Sequence, residues 1–250
     1  MTYALEARNL HASYRKGGEE VLKGVDFILE SGQSLGILGP NGCGKTTLLR
    51  CISGLIPFKG ELKLMGDDPS GLSRREIARR ASRLLQTGEA YFPYTVEETV
   101  LQGRYSKSSG IFGGITQNDR EVLERVLDDL DLNAIRHKQL NVLSGGQQQK
   151  VFLGRCLAQE SPVLLLDEPM NHLDIKAQSE LTDHLQEWRS RQGHSLVGVY
   201  HDIRMAARLS DRIMLMKDGR TLYYGDPAGA LDPGRLEETF GFDAAAFCGL

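Results

Sequence analysis

The eight residues Gly39-Pro40-Asn41-Gly42-Cys43-Gly44-Lys45-Thr46 constrain this chain more than any other stretch. They fit the pattern G-x-x-x-x-G-K-[ST]. The apolar run Leu35-Gly36-Ile37-Leu38 before them reads as a buried strand, and a helix is expected from Lys45 to Gly54. Strand, glycine turn and helix in that order form a phosphate loop. The glycines let several backbone N–H groups point inward onto phosphate oxygens, and the helix N-terminus adds its positive dipole end. Lys45 is placed to reach the outer phosphates, and the hydroxyl of Thr46 can ligate Mg²⁺. Such a loop needs a parallel sheet to hang from, so an α/β chain is expected.

Composition agrees with that expectation and closes off others. The 250 residues are 40% hydrophobic and 25% charged, which suits one large domain or two small ones and excludes disorder, collagen and coiled coil. Thirty Lys+Arg against 33 Asp+Glu leave a net charge of −3, an unpromising balance for coating nucleic acid. Cys43, Cys51, Cys156 and Cys248 show no paired spacing, which fits a reducing compartment better than a disulfide scaffold. The N-terminal MTYALEARNL carries charges where a signal peptide needs apolar residues, and no apolar run approaches the ~20 residues of a spanning helix. Any membrane role is therefore expected through a partner.

Along the chain, Glu61–Met65 alternates like a strand. The run Arg74–Arg83, with Ile77, Ala81, Leu84 and Leu85 as its apolar side, reads as a solvated helix face. From about Gly88 to Leu157 the pattern turns helical, and Asp119–Leu132 sets Val122, Leu123, Val126, Leu127 and Leu130 on one face. Strands return with Val163–Leu166, continuous and apolar as in a central parallel strand, and with Ser195–Tyr200. Arg212–Lys217 and Arg220–Tyr224, joined by Asp218-Gly219, read as a hairpin.

Two further motifs carry chemistry. Val163–Leu166 ends in Asp167-Glu168-Pro169, which puts two carboxylates at the sheet edge where α/β proteins bind ligands. Asp167 suits Mg²⁺, directly or through water, and Glu168 suits accepting a proton from an attacking water or orienting it. Leu143-Ser144-Gly145-Gly146-Gln147 opens a helix that runs to about Ala158. It is either a plain N-cap or a second anion site, because a Ser and two glycines free backbone N–H groups at a helix start.

The phosphate loop, the Leu143–Gln147 turn and the acidic strand end, in this order, resemble the ABC ATPases over nearly the whole chain. The resemblance implies one ABC ATPase domain over residues 1–250, an α/β P-loop NTPase. Its mostly parallel RecA-like core sheet and N-terminal antiparallel β subdomain would occupy residues 1–87 and 158–250, and an inserted helical signature subdomain residues 88–157. It implies ATP and Mg²⁺ as the bound groups and ATP hydrolysis as the reaction. By position, Tyr14 looks like the aromatic that stacks on adenine, unless it packs in the core, and Gln86 looks like the loop glutamine that senses Mg²⁺ and the γ-phosphate. Asn171-His172-Leu173-Asp174 matches the loop that crosses the dimer interface, with Asp174 as its key residue, and His201 looks like the switch histidine. Thr47 follows Thr46 into the phosphate-binding helix. Lys150 stands where Arg is usual, and Gly154-Arg155-Cys156 replaces a commoner Ala-Arg-Ala. Cys43 inside the phosphate loop is expected to be open to alkylation or oxidation, with ATP protecting it.

The family resemblance also implies partners: a second copy facing head to tail, integral-membrane permease subunits, and indirectly a substrate-binding protein. Nucleic acid is not among them, and the place of work would be the cytoplasmic face of the cell membrane. The cluster Tyr91-Phe92-Pro93-Tyr94 is either buried packing or, by the resemblance, the region that receives a coupling helix of the permease. Leu101–Tyr105, Ile111-Phe112, the acidic helix from Asp119, Met170–Asp174 and Tyr200–Ile203 look most similar to importers of iron–siderophore, haem or cobalamin. Zinc, manganese or molybdate import stays open, as does a soluble ATPase of an assembly system such as iron–sulfur cluster biogenesis. A GTP-binding switch would need Asn-Lys-x-Asp, which is missing.

Overall fold

The computed structural model describes residues 2–15, 17–84, 93–107, 114–171, 173–191 and 193–242. Strands β1 (Tyr3–Ala12) and β2 (Leu22–Glu30) pair antiparallel. The chain then leaves this pair for β3 (Ser34–Leu38), the phosphate loop and helix α1 (Lys45–Ile52), before β4 (Phe58–Leu64) returns to β1 and completes a three-stranded antiparallel sheet. Met65, in the left-handed region at φ 52, ends β4 one residue earlier than the alternation suggests.

Helix α2 (Arg74–Arg80) is closed at its start by a capping box between Ser73 and Glu76. It stops at Arg80, and Ala81–Leu84 form strand β5, where a helix through Arg83 was expected. Ala81 is already extended because residues 81–84 pair in register with 163–166, and these ladder bonds outweigh local helix propensity. Helices α3 (Val96–Leu101), α4 (Gln117–Asp129) and α5 (Gly145–Ala158) follow. Then come β6 (Val163–Asp167), α6 (Ile175–Ser190), β7 (Ser195–Val199) and α7 (Ile203–Leu209). The chain continues through β8 (Arg212–Lys217), β9 (Arg220–Gly225), α8 (Pro227–Ala230) and α9 (Pro233–Phe240). The β8–β9 hairpin turns on Asp218 and Gly219 with φ 50 and 82, the primed geometry expected of that dipeptide.

The second sheet runs β5-β6-β7-β3-β8-β9, parallel as far as β8, with β9 antiparallel at the edge. Strand periodicity divides its side chains between two cores. Leu35, Ile37, Val163, Leu165, Val197, Val199, Met214 and Met216 pack with the antiparallel sheet and α1. Leu38, Leu164, Leu166, Leu196, Ile213 and Leu215 pack on the other face, with α4, α5 and α6. With both faces covered, the carboxyl ends of β3, β6 and β7 are the part of the sheet free to present chemistry. The architecture is α/β, a mixed sheet beside an antiparallel one, as the sequence predicts.

Candidate functional site

The phosphate loop leaves β3 and wraps the start of α1. Gly44 sits at the helix N-cap with φ 109, and a Cβ there would stand 2.8 Å from Leu22 Cδ2, so only glycine fits. Lys45 is buried. Its Nζ donates to the carbonyls of Gly39 at 2.7 Å and Pro40 at 2.9 Å, which holds the ammonium against the loop. Cys43 faces inward, and burial pushes its thiol pKa up. That environment favours the protonated thiol over the reactive thiolate.

Strand β6 delivers the carboxylates. Asp167 Oδ1 accepts from the Thr46 hydroxyl at 2.9 Å, and Oδ2 accepts from Arg83 Nη2 at 2.7 Å. Glu168 turns the chain sharply, with φ 53 in the left-handed region, while its N–H donates to the Val199 carbonyl. A non-glycine residue in that region is uncommon and costs about 1–3 kcal/mol, held here by the surrounding structure. The turn sets the Glu168 carboxylate between two partners: Oε1 lies 2.7 Å from His201 Nε2, and Oε2 accepts from Asn171 Nδ2 at 2.6 Å.

Tyr14 lies beside the loop rather than in a core. It is 53% exposed, its hydroxyl is 3.0 Å from Thr47 Oγ1, and Arg50 Nη1 donates to it at 3.3 Å. An open cavity of about 280 Å³ brings together Tyr14, Asn41, Gly42, Gly44, Lys45, Thr46, Thr47 and Glu168. It pairs an exposed aromatic ring with a phosphate cradle and ends at a carboxylate.

Ser144, Gly145, Gly146 and Gln147 lie elsewhere, with Asp174, around a separate cavity of about 570 Å³. Ser144 Oγ accepts from Gln147 N at 3.3 Å and Gln147 Oε1 accepts from Ser144 N at 3.1 Å, a reciprocal cap on α5. Asp174 caps α6 by accepting from Ala177 N at 2.8 Å. Each turn is thus a helix cap whose glycines or carboxylate also line a cavity. Gln149 Nε2 donates to the Pro169 carbonyl at 2.9 Å, a buried tie between α5 and the turn after Glu168. Gln86, His172, Tyr91, Phe92, Ile111, Phe112 and Cys248 lie outside the described residues.

Thr46 and Asp167 offer oxygen donors at one point, which fits a hard cation. Among the described residues no group of three or more His, Cys, Asp and Glu could hold a metal alone. A cation here would need phosphate oxygens and water to complete its shell, the habit of Mg²⁺. Three residues of the site escape the sequence motifs: Arg83, Arg50, and Asn171 as a partner of Glu168. Only the change from helix to strand at Ala81 would have turned Arg83 toward Asp167.

Comparison with known proteins places these features together. The ABC transporter family profile matches residues 22–171. The hemin import ATP-binding protein HmuV of Pseudomonas entomophila is 37% identical over 245 residues, covering 96% of this chain and 93% of that protein. The ABC transporter ATP-binding protein YvrA of Bacillus subtilis is 34% identical over 243 residues, 97% of this chain, which spans only 54% of that longer relative. Among solved structures, a proposed metal-chelate type ABC transporter in an inward-facing conformation superposes with a TM-score of 0.84 at 26% identity, over 96% of this chain and 90% of that one.

Proposed function

The chain belongs to the ABC transporter family, as an ATP-binding, ATP-hydrolysing cassette, and on that premise we propose that it powers a membrane importer of a metal chelate. The observation that carries the ATPase half of this reading is the setting of Glu168. Its carboxylate is fixed by His201 and Asn171 at the mouth of the phosphate cavity. ATP lies with its adenine on Tyr14 and its phosphates on the backbone N–H groups of residues 39–46 and on Lys45. Glu168 orients the attacking water and takes its proton, and His201 keeps the carboxylate aimed while contacting the γ-phosphate. A general base is worth about 10²–10⁴ in rate. Thr46 and Asp167 would hold Mg²⁺, which would supply charge neutralisation of the phosphates when bound.

The Ser144–Gln147 turn and Asp174 border a cavity apart from the phosphate loop. A second copy, head to tail, brings that turn onto the γ-phosphate of the first, and the same contact forms in reverse. ATP then stabilises the closed dimer and hydrolysis releases it, a population shift by a ligand with differential affinity. The helical subdomain, residues 88–157, carries the face for the permease. A groove of about 260 Å³ is lined by Tyr94, Leu101, Gln102, Tyr105 and Ile115, with Tyr105 74% and Ile115 56% exposed. Among the described residues no helix is long and apolar enough to cross a membrane, so a permease would supply the spans. The cassette works at the cytoplasmic face, and a substrate-binding protein feeds the far side. Hemin import by a relative that matches over nearly its whole length supports a metal chelate (haem, cobalamin or an iron–siderophore) as cargo.

The test is Glu168→Gln. The variant should bind ATP, lose about 10²-fold or more of its hydrolysis, and accumulate as a dimer in size-exclusion chromatography with ATP. Turnover near the wild-type rate would remove Glu168 from the mechanism. Capture of the same variant with ATP and mild detergent from its native cells should recover a polytopic permease. Recovery of soluble partners alone would replace the importer with an assembly ATPase.

A further inference from the structure

The mechanism above leaves Arg83, a largely enclosed cation beside Asp167, without a task. Arg83 stands on edge strand β5 opposite Leu165, and the two-residue period of the sheet puts Asp167 on the same face as Leu165. Arg83 Nη2 reaches Asp167 Oδ2 at 2.7 Å, with side-chain exposures of 11% and 9%. Lys45, the cation of the phosphate loop, donates instead to the Gly39 and Pro40 carbonyls. The charge against Asp167 in this structure is therefore that of Arg83. Its Nε is buried and has no hydrogen-bond partner among the described residues, so the guanidinium is anchored on Asp167 by one nitrogen and is not locked by a full set of acceptors.

A carboxylate this deep is strongly disfavoured without a positive partner. A guanidinium fixed on one of its oxygens also repels a dication arriving at the other, and burial screens that repulsion poorly. We infer that Arg83 is the resident counter-ion of Asp167: it neutralises the carboxylate when no divalent cation is present, and by competing with that cation it sets how much Mg²⁺ the site requires. This rests on the reading of Thr46 and Asp167 as the Mg²⁺ side of the ATP site. It makes Arg83 a positioning residue, and it predicts that removing the arginine helps the metal.

The experiment uses the full chain and two variants, Arg83→Met, which keeps length without charge, and Arg83→Lys, which keeps charge. Thermal unfolding is followed without nucleotide in EDTA or MgCl₂ at constant ionic strength. Wild type and Arg83→Lys should unfold at the same temperature in both. Arg83→Met should unfold earlier in EDTA and recover with Mg²⁺, since the dication now meets an unpaired carboxylate. In a second measurement, Mg²⁺ is titrated against binding of a non-hydrolysable ATP analogue. The Mg²⁺ concentration at half-saturation should fall about tenfold in Arg83→Met, which corresponds to about 1.4 kcal/mol. If Arg83→Met does not fold, adding Asp167→Asn to it should restore folding in EDTA by removing the charge that lacks a partner, and failure of that rescue would overturn the inference. Equal Mg²⁺ dependence in wild type and Arg83→Met would overturn it too. Binding of the analogue by wild type without any Mg²⁺ dependence would instead remove the metal reading of the site itself.

Discussion

Among the described residues, two enclosed arginine–aspartate pairs are finished differently. In the helical segment Arg104 Nε donates to Asp119 Oδ1 at 2.8 Å, while Nη1 donates to the Ala158 carbonyl and to Glu160 Oε2, each at 2.7 Å. Asp119 Oδ2 accepts from Thr116 N and Oγ1, and Arg125 takes the other oxygen of Glu160. In the core Arg83 meets Asp167 with one nitrogen and leaves Nε unpaired. The first pair uses Nε and Nη1 of its arginine and both oxygens of its aspartate to hold α4 to the end of α5. The second keeps capacity in reserve, where a ligand would arrive. Two enclosed ion pairs can thus differ in kind. A saturated pair is architecture, and an unsaturated one stands ready to exchange partners.

That contrast can be broken at the saturated pair first. Arg104→Met leaves Asp119 and Glu160 facing each other's charge without their shared cation. Breaking a buried pair costs about 3–5 kcal/mol, measured as a lower urea midpoint, and the cost should not respond to Mg²⁺. Asp119→Asn is milder and carries a pH signature. The Arg104 guanidinium, helped by Thr116, holds the Asp119 carboxyl at about 2 against an ordinary 3.8. Its folded-state value is depressed, so the stability it contributes is complete above about pH 4 and lost as pH falls toward 2. Wild type should exceed Asp119→Asn in urea midpoint at neutral pH and converge with it across that window; a constant gap would show that packing, not charge, is what Asn disturbs. Ser144→Ala should cost about 1 kcal/mol through the lost α5 cap, while nucleotide binding by the isolated cassette stays unchanged, since Ser144 does not border the phosphate cavity. The smallest effect is at Cys43. Its buried, protonated thiol should alkylate more slowly at neutral pH than free cysteine, more slowly still with ATP, and inactivation should vanish in Cys43→Ser. Equal inactivation of that variant would place the reactive thiol elsewhere.

The sequence made the parallel core readable because its strands are continuous apolar runs bounded by glycine or proline turns, as at Leu35–Leu38 and Val163–Leu166. It made the phosphate loop and the Asp167-Glu168 pair readable because their chemistry depends on local spacing. What stayed hidden is made by pairing across distance. Arg74–Arg83 is a good helix by composition, and only its ladder with β6, some 80 residues away, turns Ala81–Leu84 into a strand and Arg83 inward. The Tyr14–Thr47 contact is likewise made across distance, while the Asn171–Glu168 contact, three residues apart, depends on the left-handed turn at Glu168. Leu143–Gln147 showed the reverse: the local reading as a helix cap describes its hydrogen bonds in full, and the separate cavity it borders could not be read from spacing.

The strand order has a consequence for synthesis of the chain. β3, which carries the phosphate loop, is flanked by β7 and β8, both of which follow it by more than 150 residues. At about 5–20 residues per second, a ribosome would expose β3 for roughly 8–30 s before either neighbour emerged. A glycine loop needs that sheet to hold its shape, so the nascent chain gains a nucleotide site only after β7 and β8 have emerged. Truncation between α1 and β7 therefore yields a fragment with the complete phosphate-loop sequence but without the neighbouring strands that hold the loop.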